Sequence, residues 1–135
     1  TYSLGKKSPE LDEIFRILVE KSSSGVEVQM IVNRLEKQLK DPKNKYVRKK
    51  MDELKKTPGA TVISFTPPNK KETLHAKIFT VDGETAILGS ANLSFNGMFD
   101  NHEIMVEISG KRFVSRINKL LDELARKHHT KYGGV

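Results

Sequence analysis

Apolar residues at positions 11, 14, 15, 18 and 19 of SPELDEIFRILVEKSS recur at the three-and-four spacing of one helix face. Ser8 stands where a cap belongs, Pro9 takes the first helical position, acids fill the first turn, and Gly25 follows the last apolar residue. The segment is therefore predicted helical. VEVQMIVN is short and β-rich, which predicts a strand, and KYVRKKMDELKKTPG returns to helical spacing before closing at Pro58 and Gly59. ATVISF predicts a second strand. After Pro67 and Pro68, the run LHAKIFTVDGETAILGS divides at Asp82 and Gly83 into two more strands, EIMVEIS adds another, and KRFVSRINKLLDELARKHH predicts a closing helix. TYSL at the start reads as the tail of a strand. The order is β(partial)-α-β-α-β-β-β-β-α, without internal repeat, heptad or low-complexity tract. Helices alternating with apolar strands predict an α/β fold, a mixed β-sheet sandwiched between helices.

Size and composition narrow the picture. A chain of 135 residues, 36% hydrophobic, can bury one core and is short for two domains, so residues 1–135 read as a single domain. It opens on Thr1 rather than Met, and we expect the domain to be excised from a longer chain. The sequence holds no cysteine, which excludes disulfides, zinc thiolates and a thiol nucleophile and favours the cytoplasm. No apolar run nears the roughly 20 residues of a membrane span, and the start lacks the apolar centre of a secretory signal. No membrane partner is expected.

The net charge of +7 points to a polyanionic partner. Lys37, Lys40, Lys43, Lys45, Arg48, Lys49, Lys50, Lys55 and Lys56 crowd one segment, and Lys70 and Lys71 follow. Such a run is either a solvated helix face or a track for a phosphate backbone. Lys45, Arg48, Lys49, Lys50, Lys70 and Lys71 are the candidate nucleic-acid contacts. A phosphate-handling site nearby would favour the second reading.

That site is sought at the hairpin. Asp82-Gly83 between apolar runs predicts a type I′ turn, which needs positive φ at both central residues. With those two as the loop, Val81 faces Glu84, Lys77 faces Leu88 and His75 faces Ser90, so His75, Lys77, Ser90 and Asn92 fall on one face at the open end. Asp82, about 7 residues away at roughly 3.3 Å each, is too distant to touch them. An imidazole can attack or accept a proton, a lysine is a fixed cation, and Ser and Asn side chains donate hydrogen bonds. Together they suit an oxyanion with several oxygens, such as phosphate.

HAKIFTVD followed by GSAN resembles the phospholipase D superfamily pattern, with His75, Lys77, Asp82, Gly89, Ser90 and Asn92 matching position by position. Glu103 in NHEIMVEIS stands where that family often carries a further acid. The element order also resembles one half of the family's two-half α/β/α architecture. The resemblance implies a phosphodiesterase that works without metal or other cofactor through a phosphohistidine on His75. It further implies that Lys77 and Asn92 hold phosphoryl oxygens, that Ser90 supports them, and that Glu103 orients His75. Asp82 and Gly89 carry over as structural. His102 reads as a loop residue and His128 and His129 as a helix C-terminus; four histidines without carboxylates at ligand spacing make no metal site.

The family's chemistry uses two motif histidines, and this chain has one. A homodimer sharing its active site would supply the second, as in the small single-motif bacterial nucleases that the chain resembles; a second motif in an upstream segment is the other source. A nuclease agrees with the site, the basic run and the size, with DNA ahead of RNA as substrate. A phospholipase or phosphatidyl transferase would expose an apolar surface near the motif; Phe95, Met98 and Phe99 offer one, although core packing is the role expected of them. A non-cleaving nucleic-acid-binding module is the third reading, against which the intact His, Lys and Asn set argues.

Overall fold

The computed structural model describes Leu4 and residues 7–67, 69–127 and 129–131. Helix α1 (Pro9–Ser23) begins where the cap predicts, with the Ser8 hydroxyl accepting from the Leu11 amide at 3.1 Å and Pro9 in the first turn. Gly25, at φ +98°, turns the chain into strand β1 (Val28–Asn33). A short helix α2 (Leu35–Leu39) and a 3₁₀ turn (Pro42–Asn44) lead to α3 (Lys45–Lys56) and strand β2 (Ala60–Phe65). β3 (Lys77–Val81) and β4 (Thr85–Gly89) form the hairpin, a single π-helical turn (Asn96–Asp100) follows, and β5 (Met105–Ser109), α4 (Lys111–Lys127) and β6 (His129–Lys131) complete the order.

The α/β class is as predicted, and the described strands divide into two three-stranded sheets. β1 runs parallel to β2 and β6 antiparallel to it, while β3, β4 and β5 form an antiparallel ladder. α1 and α3 pack together over β1 and β2. The helical spacing of Val47, Met51 and Leu54 on α3, and of Leu11 and Phe15 on α1, puts these residues into one cluster with Val32, Leu35, Val62 and Leu93. Truncating such a side chain to alanine costs about 2–5 kcal/mol. α4 crosses from β4 and β5 to β2 and β6 and so clamps the two sheets. Val114 on α4 and Ala86 on β4 are both fully buried. No described helix is long and apolar enough to cross a membrane.

Three expectations are corrected. The sequence gives no sign of α2. The closing helix stops at Lys127 rather than running through the histidine pair: His129 begins β6, opposite Phe65. β2 needs a neighbour on its second edge, and a three-residue strand recruited from so far along the chain leaves no local pattern. His128, like most of TYSL, lies outside the described residues; Leu4 makes an isolated parallel bridge to Leu93.

The third correction is the hairpin register. Asp82 and Gly83 do take positive φ, 55° and 67°, as a type I′ turn requires, and the Glu84 amide bonds to the Val81 carbonyl. The first ladder pair, however, is Val81 with Thr85, which sets Lys77 opposite Gly89. Glu84 and Thr85 thus both stand opposite Val81, the two-against-one arrangement of a β-bulge. The Glu84 carbonyl accepts from the Gly110 amide instead of pairing within the hairpin. A slip of one residue exchanges faces, so the face-sharing predicted from a two-residue loop does not hold.

Candidate active site

The ends of four strands and the lead into β3 meet at one end of the sheets. β1 ends at Asn33, a buried residue whose side-chain oxygen accepts the Leu74 amide at 3.0 Å across 41 positions of sequence. That bond fixes the segment entering β3, and His75 is the next residue. His75 is exposed; Lys77, the first residue of β3, is only 6% exposed. The Lys77 ammonium lies 3.0 Å from Nδ1 and 3.2 Å from Nε2 of His75. A charged group taken so far from water requires compensation, and the imidazole nitrogens and the nearby Glu103 charge provide it.

Gly89 explains its own identity. A Cβ there would stand 2.0 Å from the Ile104 carbonyl oxygen and 2.9 Å from the Met105 Cα, so β4 and β5 leave no space for a side chain. Past Gly89 the chain bends, and the Ser90 amide bonds to that same Ile104 carbonyl. The Ser90 hydroxyl accepts from the Ile104 amide at 3.1 Å and donates to Glu103 in a short hydrogen bond. Asn101 donates to the other carboxylate oxygen of Glu103 at 3.2 Å. The Ser90 bond first, then the Asn101 bond, and finally the Lys77 charge hold the Glu103 carboxyl below its ordinary range, against partial desolvation. Asn92 is half-buried beyond β4, and Gly97 of the π-helical turn packs so tightly on its backbone that a Cβ would meet the Asn92 carbonyl at 2.6 Å.

His75, Lys77, Ser90 and Glu103 therefore form one connected set, with Asn92 just beyond Ser90 in the chain. The connection runs through Glu103 rather than through the hairpin face. Asp82 sits at the opposite tip of the hairpin, consistent with a structural role, and His102 is exposed in the loop before β5. Among the described residues no three His, Cys, Asp or Glu side chains converge on a metal-sized site. Phe95 and Phe99 pack ring to ring at 5.5 Å, yet Met98 and Phe99 are exposed, contrary to the core role expected of them.

The basic residues differ in what they are free to do. Lys50 pairs with Asp12 at 2.7 Å and lies 5.8 Å from the Tyr46 ring centroid, and Arg48 donates to the Leu39 carbonyl. Both are tied into the helical layer. Lys45 and Lys49 are exposed, as are Lys70 and Lys71. Asn33, Arg34 and Asn101 escaped the sequence reading. The only signal for Asn33 is a polar residue ending an apolar strand, VQMIVN.

A family model described as "Cardiolipin synthase, PLD-like domain" matches residues 1–125. The DISARM protein DrmC of Bacillus paralicheniformis is 28% identical over 124 residues, which is 92% of this chain and 49% of that protein. The chain thus spans about half the length of the curated relative it matches. NucT from Helicobacter pylori superposes with a TM-score of 0.73 at 19% identity, over 96% of this chain and 77% of that one. Nuc from Salmonella typhimurium, described as a phospholipase D family member, superposes with a TM-score of 0.72 at 17% identity, over 98% and 80%. At such identities the superpositions speak for the fold.

Proposed function

The chain belongs to the phospholipase D superfamily, and from that premise we propose that it hydrolyses nucleic-acid phosphodiester bonds, without a metal, through a phosphohistidine on His75. The observation that carries this reading is the pairing of a solvent-exposed imidazole with a buried ammonium 3.0 Å away, backed by an ionised carboxylate. A histidine nitrogen attacks phosphorus, and the bond from phosphorus to the leaving oxygen breaks as that oxygen takes a proton from a second histidine. Water then attacks the phosphorus of the phosphohistidine, gives its proton to the second histidine, and releases His75 and a phosphate monoester. Lys77 and Asn92 hold the non-bridging oxygens as negative charge develops. Glu103, kept ionised by Ser90 and Asn101, stabilises the cationic groups around it and orients His75.

The second histidine comes from a second unit carrying the same motif. Ile104, next to Glu103, is 77% exposed; Val106 on β5 is exposed, as are Met98 and Phe99 in the π-helical turn between β4 and β5. Among the described residues β5 has β4 as its ladder neighbour and an open second edge. An apolar rim beside a half-complete site suits a copy of this chain related by a two-fold axis; a second motif within a longer chain satisfies the same chemistry. The net charge of +7 favours a nucleic acid as substrate.

The exposed Met98 and Phe99 favour a second reading, phospholipid hydrolysis or phosphatidyl transfer. One assay separates the two: labelled DNA, labelled RNA and phosphatidylglycerol vesicles, each in excess EDTA, with the parent protein and His75→Ala. The proposal expects nucleic acid to be cut by the parent and not by His75→Ala. Turnover of lipid alone, or cleavage that requires added magnesium, overturns it.

A further inference from the structure

The geometry points to a second phosphate site beside the first: a pocket at the carboxyl ends of β1 and β2 that receives a backbone phosphate of the same polynucleotide near the bond that is cut. The pocket, about 150 Å³, is lined by Arg34, Glu36, Lys37, Lys40, Ser64 and Thr66. Three cations face one carboxylate, so the lining favours an anion. Its position, outside the carboxyl ends of two parallel strands, is where open α/β sheets bind ligands.

Ser64 supplies the independent observation. It is the one hydroxyl in the run Val62 to Phe65, it is fully buried, and its Oγ has no hydrogen-bond partner among the described residues. Leaving a buried hydroxyl unpaired costs about 1–3 kcal/mol. A ligand oxygen in the pocket gives it a partner. Thr66, two residues on, offers a second hydroxyl, and a phosphate has oxygens enough for both and for the cations.

Arg34 ties this pocket to the catalytic end. Its backbone takes the left-handed conformation, φ 45°, and one terminal nitrogen of its guanidinium donates to the carbonyls of Asn69, Lys70 and Glu72 at 3.3, 3.1 and 2.9 Å. Those bonds hold the loop that carries Lys70 and Lys71 alongside the pocket and leave the other donors of the planar group for a ligand. Arg34 follows Asn33, and Asn33 holds Leu74, the residue before His75. One chain step on either side of that hydrogen bond thus sets the pocket beside the catalytic end. Lys45 and Lys49, exposed on the first turns of α3, add positive charge on the helix that packs against α2. A polynucleotide accounts for this added charge; a lipid headgroup does not.

This inference rests on the nuclease reading for the identity of the polymer, so the experiment has an arm that does not depend on cleavage. In 15N-labelled His75→Ala protein, inorganic phosphate is titrated and amide shifts are followed. Shifts at Arg34, Lys37, Ser64 and Thr66, lost in Lys37→Glu/Lys40→Glu, are expected; their absence overturns the pocket. A fluorescent single-stranded oligonucleotide is then titrated by anisotropy over a salt series with the same two proteins. Losing the one phosphate contact that the pocket makes should lower the log-log salt slope of this single-stranded ligand by about 0.7. Equal slopes overturn the polynucleotide assignment even if inorganic phosphate binds. Ser64→Ala, a smaller change, should weaken phosphate binding while thermal unfolding shows the fold intact; unchanged phosphate affinity in that variant contradicts the role given to the hydroxyl. If the pocket binds phosphate and oligonucleotide but the parent cuts no nucleic acid in EDTA, the nuclease reading fails and the pocket stands.

Discussion

The side-chain oxygen of Asn33 accepts the backbone amide of Leu74 at 3.0 Å, joining the end of β1 to the residue that precedes His75. Both residues are buried. Asn33→Ala leaves that amide unpaired, at a cost of about 1–3 kcal/mol. Denaturant unfolding should register the loss, and hydrogen exchange should register it locally at the Leu74 amide, whose protection falls more than that of the β2 amides. Activity should fall as well, because the segment that aims His75 loses its anchor. Full protection of Leu74 in the variant contradicts this account.

Gly89→Ala tests the contact between β4 and β5. With an added Cβ 2.0 Å from the Ile104 carbonyl, the two strands must part. Forced packing of this kind costs roughly 1–3 kcal/mol. The melting temperature should fall by about 3 °C per kcal/mol in a domain of this size. A variant that melts with the parent means that the strands are further apart than described.

Ser90→Ala tests the arrangement around Glu103. The carboxyl sits below its reference value of 4.5, and the Ser90 hydrogen bond is the leading cause. Since the folded value lies below the unfolded one, the group's contribution to stability is present above about pH 4.5 and is lost as pH falls through the folded value. The variant moves the Glu103 titration upward, toward 4.5, and the stability gap between parent and variant narrows as pH falls below about 4.5. Carbon-detected NMR of the Glu103 carboxyl reads the first effect and denaturant unfolding the second. An unmoved titration removes Ser90 as the cause.

These residues also mark where the sequence was readable. Local signals survived folding: Ser8 caps α1, Gly25 ends its exit turn, and Asp82 and Gly83 adopt the turn their types require. The motif positions His75, Lys77 and Ser90 do gather with Glu103. The hairpin register was misread because Glu84 answers to a carbonyl-seeking amide at Gly110, a partner 26 positions away that no local pattern announces. β6 was missed for the same reason, since its partner Phe65 precedes it by half the chain. Asn33, Arg34 and Ser64 were silent because their roles depend on burial and on loops distant in sequence. The exposed Met98 and Phe99 carry core-type composition in a surface position, which composition alone misassigns.

Assembly is tested at Ile104, 77% exposed beside the site. Ile104→Asp should shift the sedimentation mass from two copies toward one and reduce cleavage by about 10² or more, the contribution of a lost general acid. Mixing His75→Ala subunits with parent subunits under exchange gives the complementary result: heterodimers should be nearly inactive. Half activity in the heterodimers means that each chain works alone, and an active monomer of Ile104→Asp means that the second histidine comes from elsewhere.

The central claim is that His75 forms a covalent bond to phosphorus. Oligonucleotide turning over in excess EDTA is quenched in alkali, which preserves phosphohistidine, and the protein is digested and mapped by mass spectrometry. The account predicts a nucleotide adduct on the peptide carrying His75, formed and lost at rates that match turnover and absent from His75→Ala. Continuing cleavage with no adduct, or an adduct on another residue, contradicts it.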